Sequence, residues 1–155
     1  MNAVSVFSLN SVYRPMLKAD VERVIEIERK IYPFPWSPGN FTDSLHAGYS
    51  CWINQQGDEM AGYAVMMLAA GEAHLLNLGI AAEWQGRGLG REALGHLIDV
   101  AHGQSCEAMF LEVRVSNIVA QRLYATAGFK VLTIRKNYYI AAVGRENAVL
   151  MELKL

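Results

Sequence analysis

The segment Gln85-Gly86-Arg87-Gly88-Leu89-Gly90-Arg91 follows an apolar stretch, His74-Leu75-Leu76-Asn77-Leu78-Gly79-Ile80. It precedes a run in which Leu89, Ala93, Leu94, Leu97, Ile98 and Ala101 keep a helical period. Three glycines allow backbone N–H groups to converge on one point without Cβ obstruction, and a helix start adds roughly half a positive charge. The chemistry this suits is the binding of phosphate or another anion; the alternative is a purely structural turn. No Lys-Ser or Lys-Thr follows, so the P-loop pattern is absent, and Arg91 stands where the dinucleotide fingerprint needs its last glycine. Neither a kinase nor a dehydrogenase is supported.

Three other side chains could do chemistry. On the apolar run Met109 to Arg114, strand alternation puts Phe110, Glu112 and Arg114 on one face and Met109, Leu111 and Val113 on the other. Taken alone, Glu112 reads as a surface carboxylate, a partner of Arg114, or a base. Asn117 and Tyr124 lie seven positions apart, on one stripe of a helix. Separately they read as a helix cap and a core aromatic. His46, His74, His96 and His102 show no metal-ligand spacing, and Cys51 and Cys106 suggest neither a disulfide framework nor a zinc site. No activated Ser or Cys nucleophile is visible.

The elements that must position these residues can be read from period and punctuation. Asp20 is placed as the N-cap of a helix carrying Val21, Val24, Ile25 and Ile31, ended by Pro33. Ser37-Pro38 opens a second helix closed by Gly48, with the rigid turn Pro33-Phe34-Pro35-Trp36 between them. Strands are expected at 50–53 and 60–67, joined through Gln55-Gln56-Gly57-Asp58, then at 74–80. After the glycine segment and its helix come a strand at 109–113, a helix from Asn117 to the stop at Gly128, and strands at 129–135 and 148–153. Helices, a hairpin, then strand–helix–strand–helix–strand describe an α/β protein with a mixed sheet.

A chain of 155 residues, 52% of them hydrophobic, suits one continuous domain with a filled core and excludes disorder. Fourteen Lys and Arg against 15 Asp and Glu leave a net charge of −1, with no broad basic field for nucleic acid. No apolar run reaches the roughly 18–20 residues that cross a bilayer. The start, Met1-Asn2-Ala3-Val4-Ser5, lacks the pattern of a signal peptide. A soluble, cytoplasmic protein without membrane or nucleic-acid contacts is the expectation.

The spacing Gln85-x-x-Gly88-x-Gly90 resembles the pyrophosphate-binding motif of the GNAT superfamily of acyl-CoA-dependent N-acetyltransferases. Downstream, Leu111-Glu112-Val113-Arg114-Val115-Ser116-Asn117, Ala120, Leu123-Tyr124 and Gly128-Phe129 resemble the second half of the same fold. Pro33-Phe34-Pro35-Trp36-Ser37, Asn137-Tyr138-Tyr139 and Gly144-Arg145-Glu146 resemble the branch that acetylates the N-terminal alanine of ribosomal proteins. Leu78-Gly79-Ile80 and the apolar Ile140-Ala141-Ala142-Val143 depart from the commoner pattern.

The resemblance implies a single GNAT domain over residues 1–155, with a mixed, mostly antiparallel twisted sheet flanked by helices. It implies acetyl-CoA as cosubstrate and no metal. Gly86, Arg87, Gly88, Leu89, Gly90 and Arg91 would hold the pyrophosphate, and the backbone of Leu78, Gly79 and Ile80, with Asn117, the pantetheine arm. Glu112 would be the general base and Tyr124 the general acid on the leaving thiolate. Trp36, Glu72, Tyr138 and Tyr139 are the candidates for the acceptor groove, each with packing or a solvated charge as its plain alternative. The acceptor implied is a protein N-terminal α-amine, that of a small-subunit ribosomal protein. A small-molecule amine and a non-catalytic acyl-CoA-binding module are the competing readings; retention of Glu112 and Tyr124 weighs against the latter.

Overall fold

Apolar periodicity and the glycine and proline stops place most element boundaries within a few residues of the expected ones. A computed structural model describes residues 11–155; the stretch Met1–Ser5, read above for a leader, lies outside the described residues. The elements are β1 (Ser11–Pro15), a 3₁₀ turn (Lys18–Asp20), α1 (Val21–Ile31), α2 (Pro38–His46), β2 (Ser50–Gln56), β3 (Glu59–Ala69) and β4 (Glu72–Ile80). A second 3₁₀ turn (Ala82–Trp84), α3 (Leu89–Gly103), β5 (Ala108–Arg114), α4 (Ile118–Thr126), β6 (Lys130–Ile140) and β7 (Arg145–Lys154) complete the chain. The strands hydrogen-bond in the order β1-β2-β3-β4-β5-β7-β6. β4 and β5 run parallel, whereas β1 with β2, β2 with β3, β5 with β7 and β6 with β7 are antiparallel. The mixed, mostly antiparallel α/β architecture is the expected one.

By its contacts the chain divides into two compact units. The first takes residues 77–96 with everything described up to Met66; the second takes residues 67–76 and 97–155. In the first, Val24, Ile25 and Ile27 of α1 join Phe41 of α2, Ile53 of β2 and Tyr63 and Val65 of β3 in one buried cluster. Ser37 caps α2 by accepting the Asn40 N–H at 3.2 Å, with Pro38 at its first position. Asp20, in contrast, does not cap α1. Its carboxylate takes both Arg14 guanidinium nitrogens at 2.8 Å and the Leu17 N–H at 2.7 Å, and the Arg14 hydrogen bond holds its pKa below the ordinary range. Arg14 belongs to β1, an edge strand that the sequence pattern did not announce, and Pro15 is tolerated there because an edge leaves one side of the backbone unpaired.

In the second unit β5 alternates as expected, with Met109, Leu111 and Val113 buried and Phe110, Glu112 and Arg114 on the other face. Val149 and Met151 of β7 are buried, while β6 is exposed along nearly its whole length.

Candidate active site

The glycine turn belongs to the first unit. Gly86 and Gly88 take φ of +76° and +82°, the left-handed region that L side chains avoid, which is why glycine recurs here. The first helical bond of α3 runs from the Glu92 N–H to the Gly88 carbonyl at 3.1 Å. The N–H groups of Leu89, Gly90 and Arg91 therefore precede the intrahelical ladder and supply donors at the positive end of a 15-residue helix. Gln85 Nε2 donates to the Ile80 carbonyl at 2.9 Å, tying the turn to the end of β4 and giving the leading glutamine of the motif its purpose. Buried Leu89 anchors the helix, and the Arg87 guanidinium lies 4.8 Å over the Trp84 ring. The donor set fits a phosphate group.

At the end of β4, Gly79 is needed for a neighbour. A Cβ there would fall on the Tyr63 phenol, 2.8 Å from its Cε2, and a Cβ on Gly62 of β3 would stand 2.6 Å from the Gly79 carbonyl oxygen. The expectation that Gly79 leaves room for a ligand's backbone is thus met, on its Cβ side, by a tyrosine of the protein itself. The Leu78 carbonyl accepts from the Tyr32 hydroxyl, and Ile80 is half-buried.

Sequence reading missed the carboxylate at the centre of this region. Glu28 on α1 is 2% exposed. Its Oε1 accepts the Tyr63 hydroxyl at 2.6 Å, its Oε2 the Trp36 N–H at 2.9 Å, and Asn77 Nδ2 of β4 lies 3.2 and 3.3 Å from the two oxygens. The signal was available: Glu28 lies three, four and seven positions after Ile25, Val24 and Val21, on the apolar stripe of the helix. Burial, reinforced by Glu28, pushes the Tyr63 hydroxyl far above its ordinary pKa. Trp36, an expected groove residue, packs on Phe41 with ring centroids 5.0 Å apart, and Phe41 meets Tyr63 edge-on at 5.7 Å.

The second unit holds Glu112, Tyr124, Asn117, Tyr138, Tyr139 and Glu72. Arg114 does not pair with Glu112. It donates to Glu146 at 2.7 Å and to the Ile140 carbonyl at 2.8 Å, and its guanidinium lies 4.4 Å over the Tyr139 ring. Hydrogen bonding from Arg114 lowers the Glu146 pKa. Glu112 has Arg135 of β6 at 3.6 Å instead, reached diagonally across β7, where Leu150 faces Glu112 and Ala148 faces Arg135. The tyrosine pair sits on a bulge of β6 between Arg135 and Tyr139. Asn137 makes that bulge at φ +53°, a conformation asparagine tolerates. Its N–H donates to Asn147 Oδ1 at 3.0 Å, and Arg145 donates to the carbonyls of Asn137 and Tyr138 at 2.8 and 3.0 Å. Asn137, Arg145 and Glu146 thus act together to present Tyr138 and Tyr139, whose rings stand perpendicular at 4.8 Å. Burial, first of all, raises the Tyr139 pKa well above its ordinary value, and Glu112 is a further cause.

Asn117 caps α4, its Oδ1 accepting the Ala120 N–H at 3.1 Å. Tyr124, two turns on, packs edge-on against Phe129 at 5.8 Å, and burial pushes its pKa up to about 12. Gln121, not anticipated, donates to the carbonyls of Arg114 and Val115 at 3.0 and 2.9 Å and fastens α4 to the end of β5. Glu72 is not brought to Glu112. It faces Ala108, four residues earlier on β5 and so about 13 Å along the strand, and lies 3.5 Å from His74. His96 stacks on Tyr13 at 4.4 Å and meets Trp52 edge-on, and His46 and His102 are exposed. Among the described residues no group of three or more His, Cys, Asp or Glu could hold a metal, and no helix is long and apolar enough to cross a membrane.

Known proteins share both sequence and architecture with this chain. It is 37% identical over 136 residues to the [ribosomal protein bS18]-alanine N-acetyltransferase of Escherichia coli K12, covering 88% of this chain and 92% of that protein. To the Salmonella typhimurium protein of the same name it is 36% identical over 155 residues, covering 100% and 99%. The crystal structure of the Escherichia coli ribosomal-protein-S18-alanine N-acetyltransferase superposes with a TM-score of 0.87 at 35% identity, covering 93% of each chain. Arabidopsis thaliana NAA60 in complex with acetyl-CoA shares the fold, with a TM-score of 0.83 at 18% identity over 94% of this chain and 99% of its own. Residues 21–129 match the Acetyltransferase (GNAT) family, and the chain belongs to that family of acetyltransferases.

Proposed function

We propose that this protein transfers acetyl from acetyl-CoA to the α-amine of a protein N-terminus, specifically the N-terminal alanine of the small-subunit ribosomal protein bS18. The observation that carries this reading is the 36–37% identity, across nearly the full length of both partners, with acetyltransferases named for that substrate.

Acetyl-CoA is the acyl donor and brings an activated thioester. The N–H groups and arginines of Gly86–Arg91 hold its pyrophosphate, and the strand Leu78–Ile80 with Asn117 Nδ2 takes the pantetheine amides; Asn117 Oδ1 serves the helix cap. Glu112 removes a proton from the acceptor amine, directly or through water, a contribution of about 10²–10⁴-fold for a positioned base. Tyr124 acts on the leaving sulfur. With its pKa raised to about 12 by burial, against about 8.5 for a free thiol, complete proton transfer to the thiolate is uphill. Tyr124 therefore serves as a hydrogen-bond donor to the departing sulfur rather than as a strong acid. Tyr138 and Tyr139, held by Arg145 and Arg114, flank the acceptor chain, and Trp36 lines its groove.

An α-amine suits a single carboxylate base. With reference pKa values of about 7.7–8.0, roughly a tenth of it is neutral at pH 7, against well under a thousandth of a lysine amine at about 10.4. The test is a competition read by mass: an Ala-Arg-initiated peptide, its N-terminally blocked lysine-containing counterpart, kanamycin and spermidine. The free N-terminal peptide is expected to be acetylated fastest, and faster acetylation of any other acceptor overturns the proposal.

A further inference from the structure

We infer that Glu28 is a positioning residue for the acceptor: from inside the first unit it fixes the Pro33–Trp36 turn against strand β4, and so sets where Trp36 meets the incoming peptide. The inference rests on the reading above that Trp36 lines the acceptor groove.

Four observations carry it. Glu28 is a charged side chain buried at 2% exposure on an otherwise apolar helix stripe, and such groups are retained only where their oxygens are satisfied. Its described partners are three donors from three segments: the Tyr63 hydroxyl of β3, the Asn77 amide of β4 and the Trp36 backbone N–H. The bond to Trp36 goes to the main chain, so it orients the residue whatever its side chain does. The turn is held a second time one turn of helix later, where the Tyr32 hydroxyl donates to the Leu78 carbonyl next to Asn77. Glu28 acts through Trp36 and Asn77, and nothing in its position offers it to a ligand.

The stereochemistry predicts what a neutral isostere does. In Glu28→Gln the side-chain oxygen can serve either the Tyr63 side or the Trp36 side, and the new NH₂ must then oppose the donor on the other. Adding Asn77→Asp returns the negative charge across the same contact: the amide oxygen can take the Trp36 N–H while its NH₂ donates to the new carboxylate.

Steady-state kinetics with acetyl-CoA and an Ala-Arg-initiated peptide test this. Glu28→Gln is expected to raise the peptide KM by about tenfold or more with kcat changed by less than about threefold, the signature of lost binding common to ground and transition states. The acetyl-CoA KM should stay within about twofold, and Glu28→Gln/Asn77→Asp should recover much of the peptide KM. Should Glu28→Gln not fold, Asn77→Ala, which removes one donor from the strand side, should still raise the peptide KM several-fold without moving the acetyl-CoA KM. A peptide KM within about twofold of wild type in a folded Glu28→Gln or Asn77→Ala, or equal rises in both KM values, overturns the inference. Trp36→Ala separates the two readings. If it raises the peptide KM while Glu28→Gln does not, only the inference falls. If Trp36→Ala leaves the peptide KM unchanged, the groove assignment falls and takes the inference with it.

Discussion

Gly79→Ala tests the packing beneath the end of β4 with one methyl group. Gly79 has an ordinary extended φ, so alanine meets no backbone strain there, and intrinsic preference favours it in a strand by about 0.5–1 kcal/mol. Opposing this, the new Cβ falls on the Tyr63 phenol and 2.8 Å from its Cε2. Tyr63 is buried between Phe41 and Glu28 and has no empty side to turn into. Forcing a methyl into such a core costs about 1–3 kcal/mol, and tilting the ring off the Glu28 carboxylate forfeits a hydrogen bond to a charged group, about 1.5–3 kcal/mol. Net of the intrinsic gain, the loss is roughly 2–5 kcal/mol, which for a chain of this length lowers Tm by about 4–20 °C. Thermal unfolding by circular dichroism, with urea unfolding at one temperature to give the free energy directly, measures it. Tyr63→Leu in the same background removes the ring that the methyl strikes, so the second substitution should add almost nothing to Tyr63→Leu alone. A Tm for Gly79→Ala within about 2 °C of wild type, or an undiminished penalty beside Tyr63→Leu, would show that the glycine is not there for the tyrosine.

Gly88→Val, at φ +82°, should remain folded yet lose at least about tenfold in acetyl-CoA affinity by calorimetry, because the strained backbone re-aims the N–H groups; unchanged affinity would refute the phosphate assignment. Glu112→Gln is expected to lower kcat by about 10²–10⁴-fold with acetyl-CoA binding retained, and near-normal kcat sinks its role as base. Tyr124, its pKa raised to about 12, stays protonated throughout the assay range, so the kcat defect of Tyr124→Phe should be the same from about pH 6 to about pH 9; a defect that vanishes at the alkaline end contradicts donation by the phenol. Asp20 has a depressed pKa, so its bond with Arg14 stabilises above the ordinary carboxylate value and is lost as pH falls through the folded value. The Tm gap between wild type and Asp20→Asn should therefore be open at neutral pH and close below about pH 4, and a gap independent of pH counts against the pair.

What could be read in the sequence follows from how local each cause is. Helix α3 was legible because its apolar period and glycine start lie within one segment, and β5 because strict alternation reports which face is buried. Strand β1 was not: five residues ending in proline are held by register with β2, Ser11 facing Gln56 and Pro15 facing Trp52, and no pattern within Ser11–Pro15 encodes that pairing. The cap expected of Asp20 failed for a related reason. A bidentate arginine six residues upstream competes for the same carboxylate and offers a stronger, charge-assisted bond than a helix N–H.

The candidate site divides in the same way. The glycine turn and the Asn117 cap are local and stood where expected. The partners of Glu112 and Arg114 are not local. Arg114 is nearest in sequence, but two residues apart on one strand face leaves their side chains parallel, and diagonal neighbours on β6 and β7 claim each of them: Arg135 for Glu112, Glu146 for Arg114. Glu28 is the extreme case. Its donors lie 8, 35 and 49 residues away, and only its place on an apolar stripe marks it. An ionisable residue on such a stripe is either a mistake in the helix assignment or a carboxylate that three-dimensional structure must satisfy. In this protein it is the second, and the donors that satisfy it are those that hold the Trp36 turn to β4.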